Sequence, residues 1–413
     1  MVSRFPKTTE TFILREMQAV ESADWAVTLF AIRREHGEIV QPGAASYLRR
    51  LTAISDLSAR RAVAAQWRLL RRRPRLMARL WWRAVRGNVA SLKFLVRAVV
   101  IAWGAPALAE SVQQQRLDRL HAHWGTHSAL LAHLLSLLTG VPYSITLHAH
   151  DLHVRRIMLA EKLTGASDVV TISEHNAELI RRDFPPVAGR TTVVHCGVDL
   201  EALRPTRHVD ERVGDRTSAR RCGKDRIVMV AGLREFKGHR YLLVALALLR
   251  GRGRRVICHL VGDGPLRAEL QATAGDDVVF HGAVDVDAAL EIVRSSTVFV
   301  MPSVELDDGR RDGIPVALIE SMALGVPVIA SDVSGIPELV RHGETGVLVP
   351  SRDAEALASA IDALLDDPAR RDELARRARQ LVEQEFDLAC SGRAMAQLFR
   401  RTTSRQMESS DAT

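Results

Sequence analysis

Cysteine is scarce in this chain. Its 413 residues contain four, Cys196, Cys222, Cys258 and Cys390, scattered and with no C-x-x-C pair. That pattern excludes a disulfide framework and a thiolate metal site and leaves buried or incidental thiols. Zinc-finger spacing and RNA-binding aromatic motifs are missing as well, which sets nucleic acid aside as a partner. No G-x-G-x-x-G follows a strand with an acid about twenty residues on, so a dinucleotide oxidoreductase is excluded. The opening M-V-S-R-F-P lacks the apolar core of a signal peptide. The longest apolar run, Ala98 to Ala109, is interrupted by Gly104 and Pro106 and is too short to span a bilayer. The expectation is a cytoplasmic protein.

What is present describes a globular chain. Hydrophobic residues make up 47% and charged residues 26%, and the length suffices for two domains. A net charge of +8 favours anionic partners such as nucleotides or an acidic membrane surface. Between Ala59 and Arg86 the sequence is crowded with arginines, from Arg60 and Arg61 to Arg83 and Arg86, with Trp67, Trp81 and Trp82 interleaved. A basic amphipathic helix of this kind suits anionic lipid headgroups; the alternative is a solvated helix whose tryptophans pack inward.

Strands and helices alternate along the chain, which predicts parallel sheets. Trp25 to Arg33, Leu120 to His123 and Tyr143 to Leu147 read as strands of a first domain; Arg226 to Ala231, Arg255 to Val261 and Val278 to His281 as strands of a second. The stretch from Met301 to Gly346 is the most informative. A strand ends at Met301 and a polar loop follows. Pro315 stands where a first helical residue belongs, Gly325 just past the helix end, and another strand follows. Such a loop lies at the carboxyl end of a strand, where open α/β sheets bind ligands. Asp312 and Glu320 flank the helix start, and the amides of Gly313 and Ile314 offer a seat for phosphate or a sugar hydroxyl. Asp312 equally suits a helix N-cap.

This stretch, D-G-I-P-V-A-L-I-E-S-M-A-L-G-V-P-V-I-A, resembles the donor-site signature of family-4 glycosyltransferases, with Asp312 where the family has Glu. R-F-P-K-T-T-E-T-F-I near the start, H-A-H-W at His121 to Trp124 (the family reads H-A-H-F) and T-L-H-A-H-D at Thr146 to Asp151 are similar to the exopolysaccharide-type members. V-H-C-G-V-D resembles the family's N-G-V-D turn, with Cys196 for Asn. The resemblance implies the α/β GT-B architecture, two Rossmann-like domains facing across a cleft. The expected division is an acceptor-binding domain at 1–199, a linker at 200–225, a nucleotide-sugar-binding domain at 226–385, and a crossover helix with a disordered tail at 386–413. In the family a whole strand precedes the R-F-P loop, but here only Met1 to Phe5 do. The first sheet is expected to lack most of its first strand, either because the true start lies upstream or because the domain tolerates a stub. The loop Thr8 to Thr11 then offers hydroxyls and amides to a diphosphate, or simply an N-cap at Thr9 or Thr11.

The resemblance further implies a metal-independent, retaining transfer of a hexose or N-acetylhexosamine from a nucleotide-diphosphate sugar, UDP-linked by preference. The donor is a co-substrate, and no cofactor is needed. Lys237 in F-K-G-H matches the diphosphate lysine, while Gly232 replaces the family arginine and Arg234 is the candidate substitute. Gly262 and Gly264 would let the nucleotide approach the backbone. Val284 would meet the base, Glu320 the ribose diol, and Asp312 hydroxyls of the moving sugar. His148 is expected at the sugar, with Asp151 orienting a histidine; a metal bound by the clustered histidines is the alternative. His133 reads as an ordinary helix residue, and Glu305, Asp307 and Asp308 as loop charge. The acceptor is a saccharide, lipid-linked in exopolysaccharide assembly, or alternatively a soluble aminoglycoside-type intermediate. Gly232 and Asp312 also leave room for a non-catalytic sugar-nucleotide-binding protein.

Overall fold

The computed structural model describes residues 1–7, 10–35, 43–204 and 225–411, with side chains as far as 401. Thr8, Thr9 and residues 205–224 of the expected linker lie outside the described residues. The chain forms two compact units, one of Met1–His195 with Ser391–Thr413, the other of Cys196–Cys390.

The first unit runs β1 (Val2–Phe5), α1 (Thr11–Glu21), β2 (Phe30–Arg34), α2 (Ala44–Arg50), β3 (Thr52–Ala53), α3 (Ala59–Arg72), α4 (Pro74–Arg86) and α5 (Leu92–Gln114). It continues through β4 (Leu120–His123), α6 (His127–Thr139), β5 (Tyr143–Leu147), α7 (Ala149–His153), α8 (Leu159–Gly165), β6 (Asp168–Thr171), α9 (Glu174–Asp183) and β7 (Thr191–Val193). Its strands are parallel in two sheets, β1-β2-β3 and β4-β5-β6-β7. The expected gap in the first sheet is filled. Val2 pairs with Ala31 and Arg4 with Arg33, and the His123 amide donates to the Met1 carbonyl at 3.1 Å, tying β4 to the start of β1. The strand expected from Trp25 begins only at Phe30, because Trp25 turns aside to meet Phe399 edge-on at 5.5 Å. Helix α1 is capped at Glu10 without a side-chain bond, so Thr11 is its first residue and not its cap.

The basic segment is two helices. Pro74 has no N–H and a fixed φ, which suits the first turn of α4 and ends α3. The interrupted apolar run is, by contrast, one helix of 23 residues with Pro106 inside it. Pro106 cannot bond the carbonyl of Ala102. Gln66 of α3 supplies the missing donor, its Nε2 bonding the Ala102 carbonyl at 2.9 Å and that of Trp103 at 3.0 Å. By length and composition α5 could cross a membrane. Its Ala98, Ile101, Ala105, Leu108 and Val112 face is buried in the core of the first unit.

The second unit alternates β8 (Asp225–Val230), α10 (His239–Gly251), β9 (Val256–Val261), α11 (Arg267–Thr273), β10 (Val278–Gly282), α12 (Val286–Arg294) and β11 (Val298–Met301). After these come α13 (Val316–Ala323), β12 (Val328–Ser331), α14 (Ile336–Leu339), β13 (Val347–Val349), α15 (Ala354–Asp366) and α16 (Pro368–Glu385). The six strands are parallel in the order β10-β9-β8-β11-β12-β13. This is doubly wound, and its switch point lies between β8 and β11. Helices cover both faces, so β11 and β12 are buried throughout and read as continuous apolar runs. The last helix, α17 (Leu388–Asp411), buries Met395, Leu398 and Phe399 against Val20, Val170 and Val194 of the first unit. It continues through the segment expected to be a disordered tail, where no Gly or Pro stops it.

Candidate functional site

Two loops flank the switch point of the second unit, Gly232 to Gly238 after β8 and Pro302 to Pro315 after β11. They are locked backbone to backbone. The Val304 amide donates to the Phe236 carbonyl at 2.8 Å. Gly238 has φ +76°, and a Cβ there would sit 1.7 Å from the Pro302 carbonyl oxygen, so no other residue fits. This contact delivers Lys237 to Asp312. Nζ of Lys237 meets Asp312 Oδ1 at 2.6 Å, and Ser303 Oγ donates to Oδ2 at 2.5 Å. Asp312 is buried and its carboxylate is held from both sides. It is not a helix cap: α13 begins at Val316 and Pro315 occupies the N-cap, one position before its expected place.

Around this pair stand the other expected residues of the unit. Arg234 is exposed, and its Nε lies 3.9 Å from where a Cβ on Gly232 would project, with the Asp263 carbonyl at 3.6 Å. The space of the missing arginine is therefore open and bordered by Arg234. Gly262 and Gly264 let the turn after β9 lie on the turn after β8. A Cβ would come within 2.1 Å of the Ala231 carbonyl oxygen at Gly262 and within 2.5 Å of the Leu233 carbonyl oxygen at Gly264. Val284 follows β10, half-buried against the core. Gly313 and Ile314 run into the start of α13, and Glu320 lies half-buried in that helix. Glu305, Asp308 and Asp307 each face an arginine: Arg311 at 2.6 Å, Arg310 at 2.6 Å and Arg352 at 3.8 Å.

Sequence reasoning missed Ser303 and His239. His239 opens α10 and is buried. Burial first, and the Lys237 charge second, lower its pKa to about 4, so it is neutral, and its Nδ1 lacks a partner. The motif F-K-G-H contains it, but nothing local marked it as facing the site.

The first unit gathers a second group at the carboxyl ends of β4 and β5. His148 is buried, and desolvation lowers its pKa to about 3, with His123 adding to the effect. Its ring lies 4.4 Å from Trp124 and 5.1 Å from Phe12. Asp151 accepts the His148 amide at 3.1 Å, so it fixes the turn of the backbone rather than the ring. Burial raises the Asp151 carboxyl to about 6. Buried polar atoms without partners cluster here: His148 Nε2, His123 Nδ1 and Trp124 Nε1. Trp124 also holds φ +74°. Unpaired buried groups and a strained backbone together mark a place made for a polar ligand. The signal in the sequence was Trp in place of the family's Phe.

Among the described residues one group could hold a metal ion, Glu16 with His121 and His123. Glu16 Oε1 lies 3.3 Å from His123 Nε2 and 3.8 Å from His121 Nε2, while the His121 ring already meets Ser144 and Thr146 hydroxyls at 2.8 Å and 3.0 Å. His133 is more than an ordinary helix residue. It is buried between Arg83 at 3.0 Å and the Tyr143 hydroxyl at 2.8 Å.

Two parallel α/β units in one chain, the second doubly wound with a basic and acidic pair at its switch point, define a GT-B glycosyltransferase. Residues 9–202 match the family described as Glycosyltransferase Family 4, and residues 224–367 match Glycosyl transferases group 1. The chain belongs to the family-4, group 1 glycosyltransferases. It is similar to the amylovoran biosynthesis glycosyltransferase AmsK of Erwinia amylovora, 35% identical over 43% of this chain and 44% of that one, so the match spans under half of that relative. It is 28% identical to the putative colanic acid biosynthesis glycosyltransferase WcaL of Salmonella typhimurium, over 96% of this chain and 97% of that one. In structure it resembles Anabaena HepE, crystallised with UDP, with a TM-score of 0.69 at 16% identity over 97% and 98% of the two chains.

Proposed function

We propose that this glycosyltransferase moves a hexose or N-acetylhexosamine from a UDP-sugar to a hydroxyl of a saccharide acceptor, with retention at the anomeric carbon and without a metal ion. The observation that carries the reading is the Lys237–Asp312 pair at the switch point. As the bond between the sugar and the diphosphate breaks, the leaving nucleotide gains negative charge. A fixed ammonium there lowers the barrier. Asp312 holds Lys237 and keeps lone pairs for hydroxyls of the sugar. Arg234 adds a second positive charge from the space beside Gly232. The amides of Gly313 and Ile314 receive phosphate oxygens, Glu320 takes the ribose diol, and the turn at Gly262 and Gly264 with Val284 frames the base. Neutral His148 and the indole N–H of Trp124 serve sugar hydroxyls. The acceptor oxygen bonds to the anomeric carbon on the face the phosphate leaves, and its proton passes to the departing phosphate oxygen.

The names of the relatives, an amylovoran and a colanic acid biosynthesis glycosyltransferase, support a saccharide acceptor. The arginines and tryptophans of 59–86 support one carried on a lipid at the cytoplasmic face of the cell membrane, with that segment in peripheral contact. The UDP complex of HepE supports the nucleotide. Incubation with UDP-sugars and measurement of released UDP tests the reading. Release is expected to persist in a chelator and to collapse in Lys237→Ala. No release from any nucleotide sugar would leave a sugar-nucleotide-binding protein.

A further inference from the structure

Helices α3, α4 and α5 meet at one buried side chain. Gln66 of α3 bonds the carbonyls of Ala102 and Trp103 on α5 and accepts the Trp81 indole N–H of α4 at 3.4 Å. Beside this junction each helix exposes a tryptophan: Trp67 is 58% exposed, Trp82 61% and Trp103 42%. The apolar exposure continues along α5. Leu92, Val96, Val99 and Trp103 stand at helical spacing on one stripe, and Leu92 is 76% exposed. On α3 the stripe is Val63, Trp67 and Leu70. Most of the large exposed apolar side chains among the described residues fall in these three helices.

Charge decides what covers this surface. Residues 59–97 contain eleven arginines, one lysine and no acidic residue. The chain's +8 less this twelve leaves −4 for everything else, so the basic bias belongs to this face. Arg71 and Arg86 lie over the rings of Trp67 and Trp82 at 5.8 Å and 5.4 Å. Paired indoles and guanidiniums suit the headgroup level of a bilayer, where the ring reaches the acyl boundary and the cation meets phosphate. The opposite face of α5 is packed into the protein core, so the helix lies along such a surface and does not cross it.

We propose that α3, α4 and α5 together form a docking face for an anionic lipid bilayer, with α5 extending the apolar stripe that α3 begins. This deepens the reading of a lipid-linked acceptor and rests on it only for its purpose, since the surface stands on its own residues.

The test is sedimentation of the full chain with vesicles. Binding is expected to equal parts of phosphatidylglycerol and phosphatidylcholine, not to phosphatidylcholine alone, and to weaken with salt. A Trp67→Ala, Trp82→Ala double variant and an Arg71→Glu, Arg72→Glu double variant should each weaken binding about tenfold or more. UDP release in the absence of vesicles should be unchanged in both. Failure to bind anionic vesicles, or binding that survives both changes, overturns the proposal. So does self-association of the chain that the tryptophan changes abolish, because the face would then serve a second copy. UDP release measured in the same samples reports separately on the enzymatic reading.

Discussion

Lys237 and Asp312 hold each other, so neither acts alone. Replacing Lys237 with Ala is expected to lower kcat/KM about a hundredfold, the usual loss when one transition-state charge partner is removed. Asp312→Asn should do comparable damage, because it releases the ammonium as well as the proposed sugar contact. The double variant should be little worse than either single one, since both remove one unit. Fully multiplicative losses would separate the two roles. Arg234 invites a rescue experiment. Arg234→Ala should cost about tenfold in kcat/KM, a change of about 1.4 kcal/mol. Adding Gly232→Arg should restore it, because a side chain at 232 meets only the Asp263 carbonyl at 3.6 Å and the space Arg234 has vacated. Trp124→Phe keeps the aromatic packing and removes only the unpaired N–H. It should raise the acceptor KM about fivefold, the worth of about 1 kcal/mol of hydrogen bond, with the melting temperature unchanged. An unaltered KM would place that N–H away from the acceptor.

At the scale of elements, the join of α3 to α5 depends on one amide compensating one proline. Gln66→Ala leaves the Ala102 and Trp103 carbonyls without the donor that Gln66 supplies and should cost about 1–3 kcal/mol. Pro106→Ala restores an N–H within α5. In the Gln66→Ala background it should therefore recover stability that it would not add to the natural chain. Denaturant melts of the four proteins decide this, and simple additivity would mean that the proline and the glutamine are unrelated. The two loops of the donor site depend similarly on Gly238. Gly238→Ala combines a left-handed residue, costing about 1 kcal/mol, with a clash against Pro302, so both the melting temperature and kcat/KM should fall.

Across the whole molecule, buried neutral histidines set the response to acid. Desolvation lowers the pKa of His127, His133 and His239 to about 4 and that of His148 to about 3. In the unfolded chain they protonate near 6.5, so from there down to about 4 the unfolded state binds more protons and stability falls as pH falls. Asp151 opposes them. Its folded pKa of about 6 lies above its unfolded 3.8, so between those values acid favours the folded state. Four groups outweigh one, each contributing up to about 1.4 kcal/mol per pH unit while it titrates. Melting temperature should therefore drop steadily between pH 6.5 and pH 4. A flat profile there would mean that these histidines are hydrated.

Much of this was legible along the chain because it depends on neighbours. The alternation of strands and helices, Gly325 after its helix, and the D-G-I-P-V-A-L-I-E signature are all local. So was the reading of Glu305, Asp307 and Asp308 as loop charge, since short polar loops pair their own charges. One error was local, a proline passed over inside the basic segment; the others came from contacts across the chain. The basic segment reads as one helix until Pro74 divides it, and Pro106 reads as a break until Gln66, forty residues earlier in sequence, feeds the carbonyl it abandons. Val2 to Phe5 reads as a stub until Ala31 and Arg33 pair with it. The sequence alone determined the two parallel α/β units and the residue types a donor site needs, because periodicity and turn chemistry act over a few residues. Only the tertiary structure decided that Lys237 and Asp312, 75 residues apart, form one ion pair, and that unpaired atoms of His123, Trp124 and His148 gather in one place. Strand order sets those meetings, and strand order follows from packing the whole sheet.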